Sequence, residues 1–540
     1  MKPIHARRSY SSRTPLFKSL RRIFGIAALA NQKDGPAADE LVEMPVRPAF
    51  NRRDFLKTSI LAATAVGTGS WLTGCARPAA GPNVPRIAIV GGGIAGLNAA
   101  YKLRKRGLRA EIYEASQRTG GRMYTAKDLL NPGLTTELGG EFVDSNHLEM
   151  LALAREFHLD WLDVHGPGEQ KLVREAYFFD GAHRTERQVV EAFRPAAARI
   201  KADFDRLAEV VDFEHEGGAG ELDRTPLSDY FDRIGAQGWL RKLLDVAFVT
   251  EFGRECSEQS ALNMIFMIST DLSAGKMELL GDSDERYKVA GGNQRIVDEL
   301  AGRVADQIHL AQRLVALAPR GSGYVLTFDQ GGQTTEVNAD VVLLTLPFTM
   351  LRQVEIKVAL PAWKRNAIDQ LGYGMNAKLL LGMQQRLWRE QGYAGNIFSD
   401  EPFQLAWDNS RLQPGNFGGL TCYSGGAGSE DLKKGTAADQ AQRMLAALEK
   451  PFPGMASQYN GKAERFYWPT HPFTRASYAC YRPGQWTTVA NAESRPIGNL
   501  FFVGEHCSYD FQGFMNGGAE TGKQAALAIQ KTLHGRRQNA

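Results

Sequence analysis

Cysteine is scarce in this chain: five residues in 540, at Cys75, Cys256, Cys422, Cys480 and Cys507. No two have CxxC spacing and no cluster has metal-ligand spacing, so a zinc ribbon, a CxxC redox centre and a disulfide framework are excluded. None of the five is expected to be structurally essential. Long apolar runs are missing too. The run Thr58 to Leu72 is only fifteen residues and contains Gly67, Gly69 and Ser70, too short and too polar to span a bilayer. Internal repeats and long low-complexity linkers are absent, which excludes solenoids and wholesale disorder. There is no haem signature and no nucleic-acid module. Charge of one sign does not dominate either: the formal net charge is +4.

What is present is a composition of 43% hydrophobic, 23% charged and 9% aromatic residues, that of a folded chain with sizeable cores. At about 150 residues per domain, the length allows roughly two to four domains. The charge is uneven. Up to Cys75 the chain carries 12 Lys/Arg against 5 Asp/Glu, and the remainder carries 52 against 55. Within the basic part stands Arg52-Arg53-Asp54-Phe55-Leu56-Lys57, followed by the short apolar run. This suits the h-region of a removable export signal, and the paired arginines resemble the bacterial twin-arginine address, which is read by an export machinery and is no anchor. Leu72-Thr73-Gly74-Cys75 resembles a lipobox; lipidation of Cys75 and simple cleavage remain alternatives. The segment before Asn51 is long for a signal, and Met44 is an alternative start. Residues 1–75 are therefore expected to be an address to the periplasm or cell envelope.

The chain then opens on chemistry. Arg86-Ile87-Ala88-Ile89-Val90 is a β-branched apolar run, expected as a buried parallel strand. Gly91-Gly92-Gly93-Ile94-Ala95-Gly96 follows, then helical periodicity from Leu97 to Arg106, then a second strand from Arg109 to Glu114. In such a unit Gly91 makes the tight turn, Gly93 admits a pyrophosphate, and Gly96 lets helix and strand pack. The helix N-terminus supplies N–H groups and a positive dipole end. Glu114 is placed for ribose hydroxyls. Together these indicate a Rossmann-like dinucleotide site in an α/β fold. Shortly after comes Arg118-Thr119-Gly120-Gly121-Arg122, a second glycine turn flanked by arginines that suits a diphosphate lying along the loop.

This pair of motifs resembles the flavin-containing amine oxidase family, and the resemblance continues over nearly all of Pro85 to Ile529. Glu137-Leu138-Gly139-Gly140-Glu141-Phe142 matches the glycine pair that approaches the flavin, and Gly291-Gly292-Asn293 the return to the FAD domain. Val315 stands where the family places a residue against adenine. Leu500 to Glu505 matches a strand ending at Gly504-Glu505, with Glu505 on the FAD backbone. The helix from Met515 through Gly517 and Gly518 would aim its N–H groups at the flavin. The resemblance implies an α/β Rossmann-like FAD-binding domain (84–150, 285–350 and 485–535) interleaved with a mixed-sheet, helix-rich substrate domain (150–285 and 350–485). The stretch 150–280 reads as mostly helical.

The resemblance also implies roles. Tyr478 and Phe514 would be two aromatic walls against the flavin, with Trp468 upstream of Tyr478 in the family pattern. Lys378 would hold a water near flavin N5, where O₂ reacts. Members with covalent flavin have cysteine just before the cage tyrosine; here Ser477 stands there and Cys480 lies beyond it, so noncovalent FAD is expected. Carotenoid desaturases and porphyrinogen oxidases share the nucleotide motifs, but Lys378, Trp468 and Tyr478 speak against them. The expected reaction is oxidation of a primary amine to an imine with release of H₂O₂. L-amino acid oxidases carry an arginine a few residues after the glycine pair, and Glu141 to His147 has none. Arg475 is an alternative carboxylate holder, so an L-amino acid oxidase or a tryptophan 2-monooxygenase-like enzyme stays open. Glu141 and Asp144 are candidates for attracting a second cationic group of a diamine or basic amino acid. Outside enzymes, the alternative is a flavin-binding envelope lipoprotein without turnover.

Overall fold

The computed structural model describes residues 15–32, 37–43, 85–268 and 284–538. The paired arginines, the apolar run, Met44 and Cys75 lie outside the described residues. Two helices of the basic segment lie within them, α1 (Pro15–Ala30) and α2 (Ala38–Glu43).

The first sheet grows from the glycine motif. Five parallel strands run in the order Leu500–Phe502, Val341–Leu344, Ile87–Val90, Ala110–Tyr113, Ile308–His309. Ile87, Ala88, Ile89 and Val90 are all buried, as are Val341 to Leu344, because helices and neighbouring layers cover both faces of a parallel sheet. Helix α3 (Ile94–Arg104) crosses from the first strand to the second; the expected strand–turn–helix–strand unit is present, with the strands trimmed by one residue at their ends and the helix starting three residues earlier and ending two earlier than expected. An antiparallel meander, Arg313–Arg320, Gly323–Gln330 and Gln333–Ala339, is inserted before the strand Val341–Leu344.

The second sheet has seven strands of mixed direction. Its order is Tyr459–Tyr467, Ala377–Met383, Gly418–Ser424, Leu405–Asp408, Tyr393–Ser399, Val173–Phe179, Ala182–Arg184. All seven residues of Ala377–Met383 are buried. The described part of 150–280 is mostly helical, as expected, but the hairpin Val173–Phe179/Ala182–Arg184 was not foreseen: it belongs to this sheet, pairing in parallel with Tyr393–Ser399. Its alternation was too short to show as a period. Helices follow it, chiefly α4 (Glu186–Asp205) and Gly238–Phe252. α4 is started by Thr185, whose hydroxyl takes the Gln188 N–H in a capping box.

α1 packs on α4. Leu20, Ile23, Ile26 and Ala27 are fully buried, and the Phe24 and Phe193 rings meet edge to face at 6.0 Å. Arg22 bridges to Glu186 at 2.7 Å and donates to the Val42 carbonyl, while Arg194 and Asn31 exchange hydrogen bonds. Residues 15–30 thus contribute to the substrate-side core, a role that basic composition alone did not reveal. Among the described residues, no helix is long and apolar enough to cross a membrane.

Candidate active site

A cleft of about 1730 Å³, counted to its open mouth, starts at the C-terminal edge of the parallel sheet and ends among the aromatic residues of the second sheet. Its first end is made of backbone. α3 begins after Gly93 with no side-chain cap, so the N–H groups of its first turn face the cleft. A side chain at Gly96 would put its Cβ 2.0 Å from the Gly91 carbonyl oxygen, so glycine alone lets this helix close on the strand. Gly91 turns the chain at φ +113°. Glu114 lies just past its strand, and its carboxylate accepts the Gly92 N–H at 2.6 Å and the Ser116 N–H at 2.8 Å. The second glycine turn is stitched to the first, with the Gly120 N–H donating to the Gly92 carbonyl at 2.8 Å. Arg118 lies over the Tyr124 ring and donates to the Gly121 carbonyl. Arg122 donates to Glu505 at 2.9 Å and to the Ser477 carbonyl. These features fit a dinucleotide: free helix N–H groups and glycine cradles for phosphates, and an acid at the ribose position.

The middle of the cleft is a close approach of three segments. A Cβ at Gly139 would lie 1.8 Å from the Arg122 carbonyl oxygen, and one at Gly140 would strike the Met515 side chain at 2.8 Å. The Trp468 indole N–H donates to the Leu138 carbonyl at 3.0 Å. Glu505 accepts from Arg122, from the Ala479 N–H at 3.3 Å and from the Gly513 N–H at 2.8 Å, tying together the loops that carry Tyr478 and Phe514. α5 (Met515–Gln538) starts at this point, with Met515 and Gly518 on the cleft.

Lys378 is 5% exposed, and its ammonium has three partners: the Glu137 and Gly139 carbonyls and Glu141, each at 2.9 Å. An ammonium has three N–H bonds, and this one spends all three inside the protein. The other oxygen of Glu141 takes Lys288 at 2.8 Å, and Lys288 also donates to the Asn409 carbonyl. Burial alone would raise the Glu141 carboxyl; the two lysines outweigh it and lower it to about 2. Nearby Glu137 is pushed up to about 7 by burial, against the opposing pull of the Asn293 N–H, the Lys288 charge and the Thr125 hydroxyl.

The far end is aromatic. The Tyr478 hydroxyl meets the Tyr423 hydroxyl at 2.8 Å and donates to the Thr250 carbonyl at 3.3 Å. Phe514 receives His147 edge-on at 4.9 Å, and burial lowers that imidazole to about 3, keeping it neutral. Phe142 packs on Trp407, and Trp407 on Tyr423, at 5.9 and 5.4 Å. Asp144 and Glu285 also face the cleft. Among the described residues the arginines on the cleft are Arg118 and Arg122, and Arg475 does not line it.

Of the residues singled out from sequence, Gly91, Gly93, Glu114, Gly121, Arg122, Gly140, Glu141, Lys378, Trp468, Tyr478, Gly504, Glu505, Phe514 and Met515 line this one cleft. Gly96 lies behind it. Val315 does not line it; it sits at a bulge of the meander, where the pairing slips between Leu314 and Ala316. The diamine-attracting role expected for Glu141 meets a physical obstacle, since both its oxygens are already held by lysines. Sequence reasoning missed Lys288, Trp407 and Tyr423. The latter two come from adjacent strands, with Tyr423 opposite Leu405, and only strand pairing brings them together. Cys256, Cys422, Cys480 and Cys507 are buried free thiols and none lines the cleft; burial pushes Cys422 up to about 12.

Residues 94–530 match the profile of the flavin-containing amine oxidoreductases. The chain belongs to that family, and is a flavin-dependent oxidoreductase by class. Among its relatives is a pseudooxynicotine dehydrogenase of Pseudomonas sp, 23% identical over 519 residues that cover 92% of this chain and 98% of that protein. An L-amino acid dehydrogenase of Synechocystis sp. is 24% identical, over 82% of this chain and 94% of its own. The cyclohexylamine oxidase of Brevibacterium oxydans IH-35A superposes with a TM-score of 0.72 at 22% identity, and putrescine oxidase bound to putrescine with 0.70 at 21%. Each covers 83% of this chain and 99% of its own. The α/β fold with its mixed second sheet is therefore that of the FAD amine oxidases.

Proposed function

We propose that this protein binds FAD noncovalently and oxidises the C–N bond of a primary amine to an imine, with O₂ reduced to H₂O₂. The carrying observation is one continuous cleft with a phosphate-binding backbone at one end and an aromatic chamber at the other. When bound, the flavin supplies the acceptor for the hydride of the C–H bond next to nitrogen and passes the electron pair to O₂.

The chain's own residues do the rest. Gly91, Gly93, Gly121 and the first turn of α3 would hold the diphosphate, Glu114 the ribose, Glu505 the cofactor backbone, and Gly140 and Met515 the ring end. Tyr478, fixed by Tyr423 and Thr250, and Phe514, fixed by neutral His147, restrict the substrate nitrogen to one approach. Noncovalent binding is supported by the absence of any cysteine on the described walls of the cleft. An amine is favoured over an amino acid because Arg118 and Arg122 are committed to backbone carbonyls and Glu505.

Export by the twin-arginine route to the periplasm or envelope is part of this proposal. It is supported by Arg52-Arg53 and by the need to load a noncovalent flavin before export. Fractionation of cells expressing an Arg52→Lys/Arg53→Lys variant should leave the protein inside; unchanged export would refute that part. The function itself is tested by peroxide release from FAD-loaded full-length protein across primary amines and L-amino acids. Amines should exceed amino acids by at least about a hundredfold, roughly 2.7 kcal/mol of discrimination. Turnover of amino acids alone, or flavin binding with no turnover of either, would overturn it.

A further inference from the structure

Lys378 stands where the family resemblance expects a holder of water, and its ammonium also ties one turn of the chain together. Its three N–H bonds go to Glu137 O, Gly139 O and Glu141, the two ends of one turn. That turn contains Gly139 and Gly140, which touch Arg122 on one side and Met515 on the other. From the opposite side Lys288, 4% exposed, grips the other oxygen of Glu141 and the Asn409 carbonyl. Glu141 is thus a buried carboxylate between two buried ammonium groups. Asn293 closes the arrangement by donating to the Gly140 and Glu141 carbonyls at 3.1 and 2.7 Å.

We propose that Lys288, Glu141 and Lys378 form a clamp that sets the Gly139–Glu141 turn against the redox ring of the cofactor. In this clamp Lys378 is a positioning residue and Lys288 is its equal partner. The inference rests on the reading that FAD occupies the cleft with its phosphates at Gly91–Gly93, which puts the ring at the Gly139–Met515 end. Buried ion pairs contribute little net stability, but breaking one leaves an uncompensated charge, so each member holds the others in place. The cluster carries one net positive charge, which also bears on the electron affinity of a ring beside it.

The test uses full-length protein in five forms: wild type, Lys288→Met, Lys378→Met, the double variant of these two, and the isosteric Glu141→Gln. Three quantities are read: the FAD dissociation constant of the apoprotein, the flavin midpoint potential, and the rate constant for reoxidation by O₂ after anaerobic photoreduction. Both lysine variants should weaken FAD by about tenfold or more and by similar factors, and should lower the midpoint potential. Their double variant should be little worse than either alone, because both act through Glu141. Glu141→Gln should weaken FAD and add a new pH-dependent step to the potential, since an unpaired buried ammonium titrates lower. A Lys378→Met protein that binds FAD normally but reoxidises more than about thirtyfold slower, beside a normal Lys288→Met, would overturn the clamp. So would a Glu141→Gln protein unchanged in both affinity and potential, even if the lysine variants fail to fold. A wild type that binds no flavin would instead sink the functional reading beneath it.

Discussion

The two ends of the cleft are built by different means. The cofactor end is made of what the side chains leave out: missing Cβ atoms at Gly96, Gly139 and Gly140, and main-chain N–H groups at an uncapped helix. The substrate end is made of what side chains bring in, with Tyr478, Tyr423, Trp407 and Phe514 held by one another and by His147. Gly96 and Gly139 tolerate almost no side chain, because the atoms in the way are main-chain carbonyl oxygens that cannot move aside. A side-chain site can be altered one ring at a time. Conservative substitutions should therefore abolish function at the first end and tune it at the second.

The largest effect should appear away from both ends and sharpen the contrast. Phe24 is 1% exposed and closes the core behind the substrate end through Phe193. In the full-length, uncleaved chain Phe24→Ala should cost about 3–5 kcal/mol of stability by denaturant unfolding, while the FAD affinity of the folded fraction stays within about twofold. An unfolding midpoint equal to wild type would show that α1 is not part of the core. Next comes Gly139→Ala. Its Cβ would fall 1.8 Å from the Arg122 carbonyl oxygen, a main-chain atom. FAD affinity, read by flavin fluorescence, should drop by more than about a hundredfold, roughly 2.7 kcal/mol. If Gly139→Ala binds FAD like wild type, the contrast between the two ends fails.

The same contrast explains what could be read from the chain. A glycine that substitutes for a missing contact leaves a local mark, because turn, strand and helix follow one another in sequence. Gly91 to Glu114 therefore declared itself before any coordinates. The parallel strand at Leu500 was legible as a match to the family pattern, and the glycine pairs fell in family order. Tyr423 and Trp407 left no such mark, since their meeting depends on the register of two strands whose partners lie elsewhere. Lys288 is a lysine three residues before a glycine pair, and nothing local says that it is buried opposite Lys378. The helix α1 was hidden differently. Its basic composition reads as an address, and only its fully buried stripe, Leu20 to Ala27, shows that it packs.

At the seam between the two ends, Glu137 offers a test by pH. Its carboxylate sits between the Asn293 N–H and the Thr125 hydroxyl, each at 2.8 Å, and burial raises it from 4.5 to about 7. A raised folded value means that the folded state binds the proton more tightly than the unfolded chain. The stability it confers is therefore fully present below about pH 4.5 and is lost as pH rises through about 7. Between pH 5 and pH 8, wild type should lose on the order of 1–3 kcal/mol relative to Glu137→Gln, read by denaturant unfolding. A difference that grows in the opposite direction would mean that Glu137 is ionised in the fold, as a fourth member of the charge cluster of Lys288, Glu141 and Lys378.

The smallest effect should come from Tyr423→Phe, and it is the most specific. The ring keeps its packing against Trp407 at 5.4 Å, and only the hydroxyl that meets Tyr478 at 2.8 Å is removed. Tyr478 still has the Thr250 carbonyl at 3.3 Å, so its hydroxyl is not left orphaned. A single neutral hydrogen bond of this kind is worth about 1 kcal/mol. That translates into roughly a fivefold fall in kcat/KM for an amine. FAD affinity should not change, because the cofactor end makes no use of Tyr423. If affinity fell along with turnover, the two ends would be mechanically one unit, coupled through the Ala479 N–H that Glu505 holds beside Tyr478. If turnover fell alone, the aromatic chamber would be adjustable one hydroxyl at a time while the glycine cradle stays fixed, which is the property that lets one cofactor fold serve many amines.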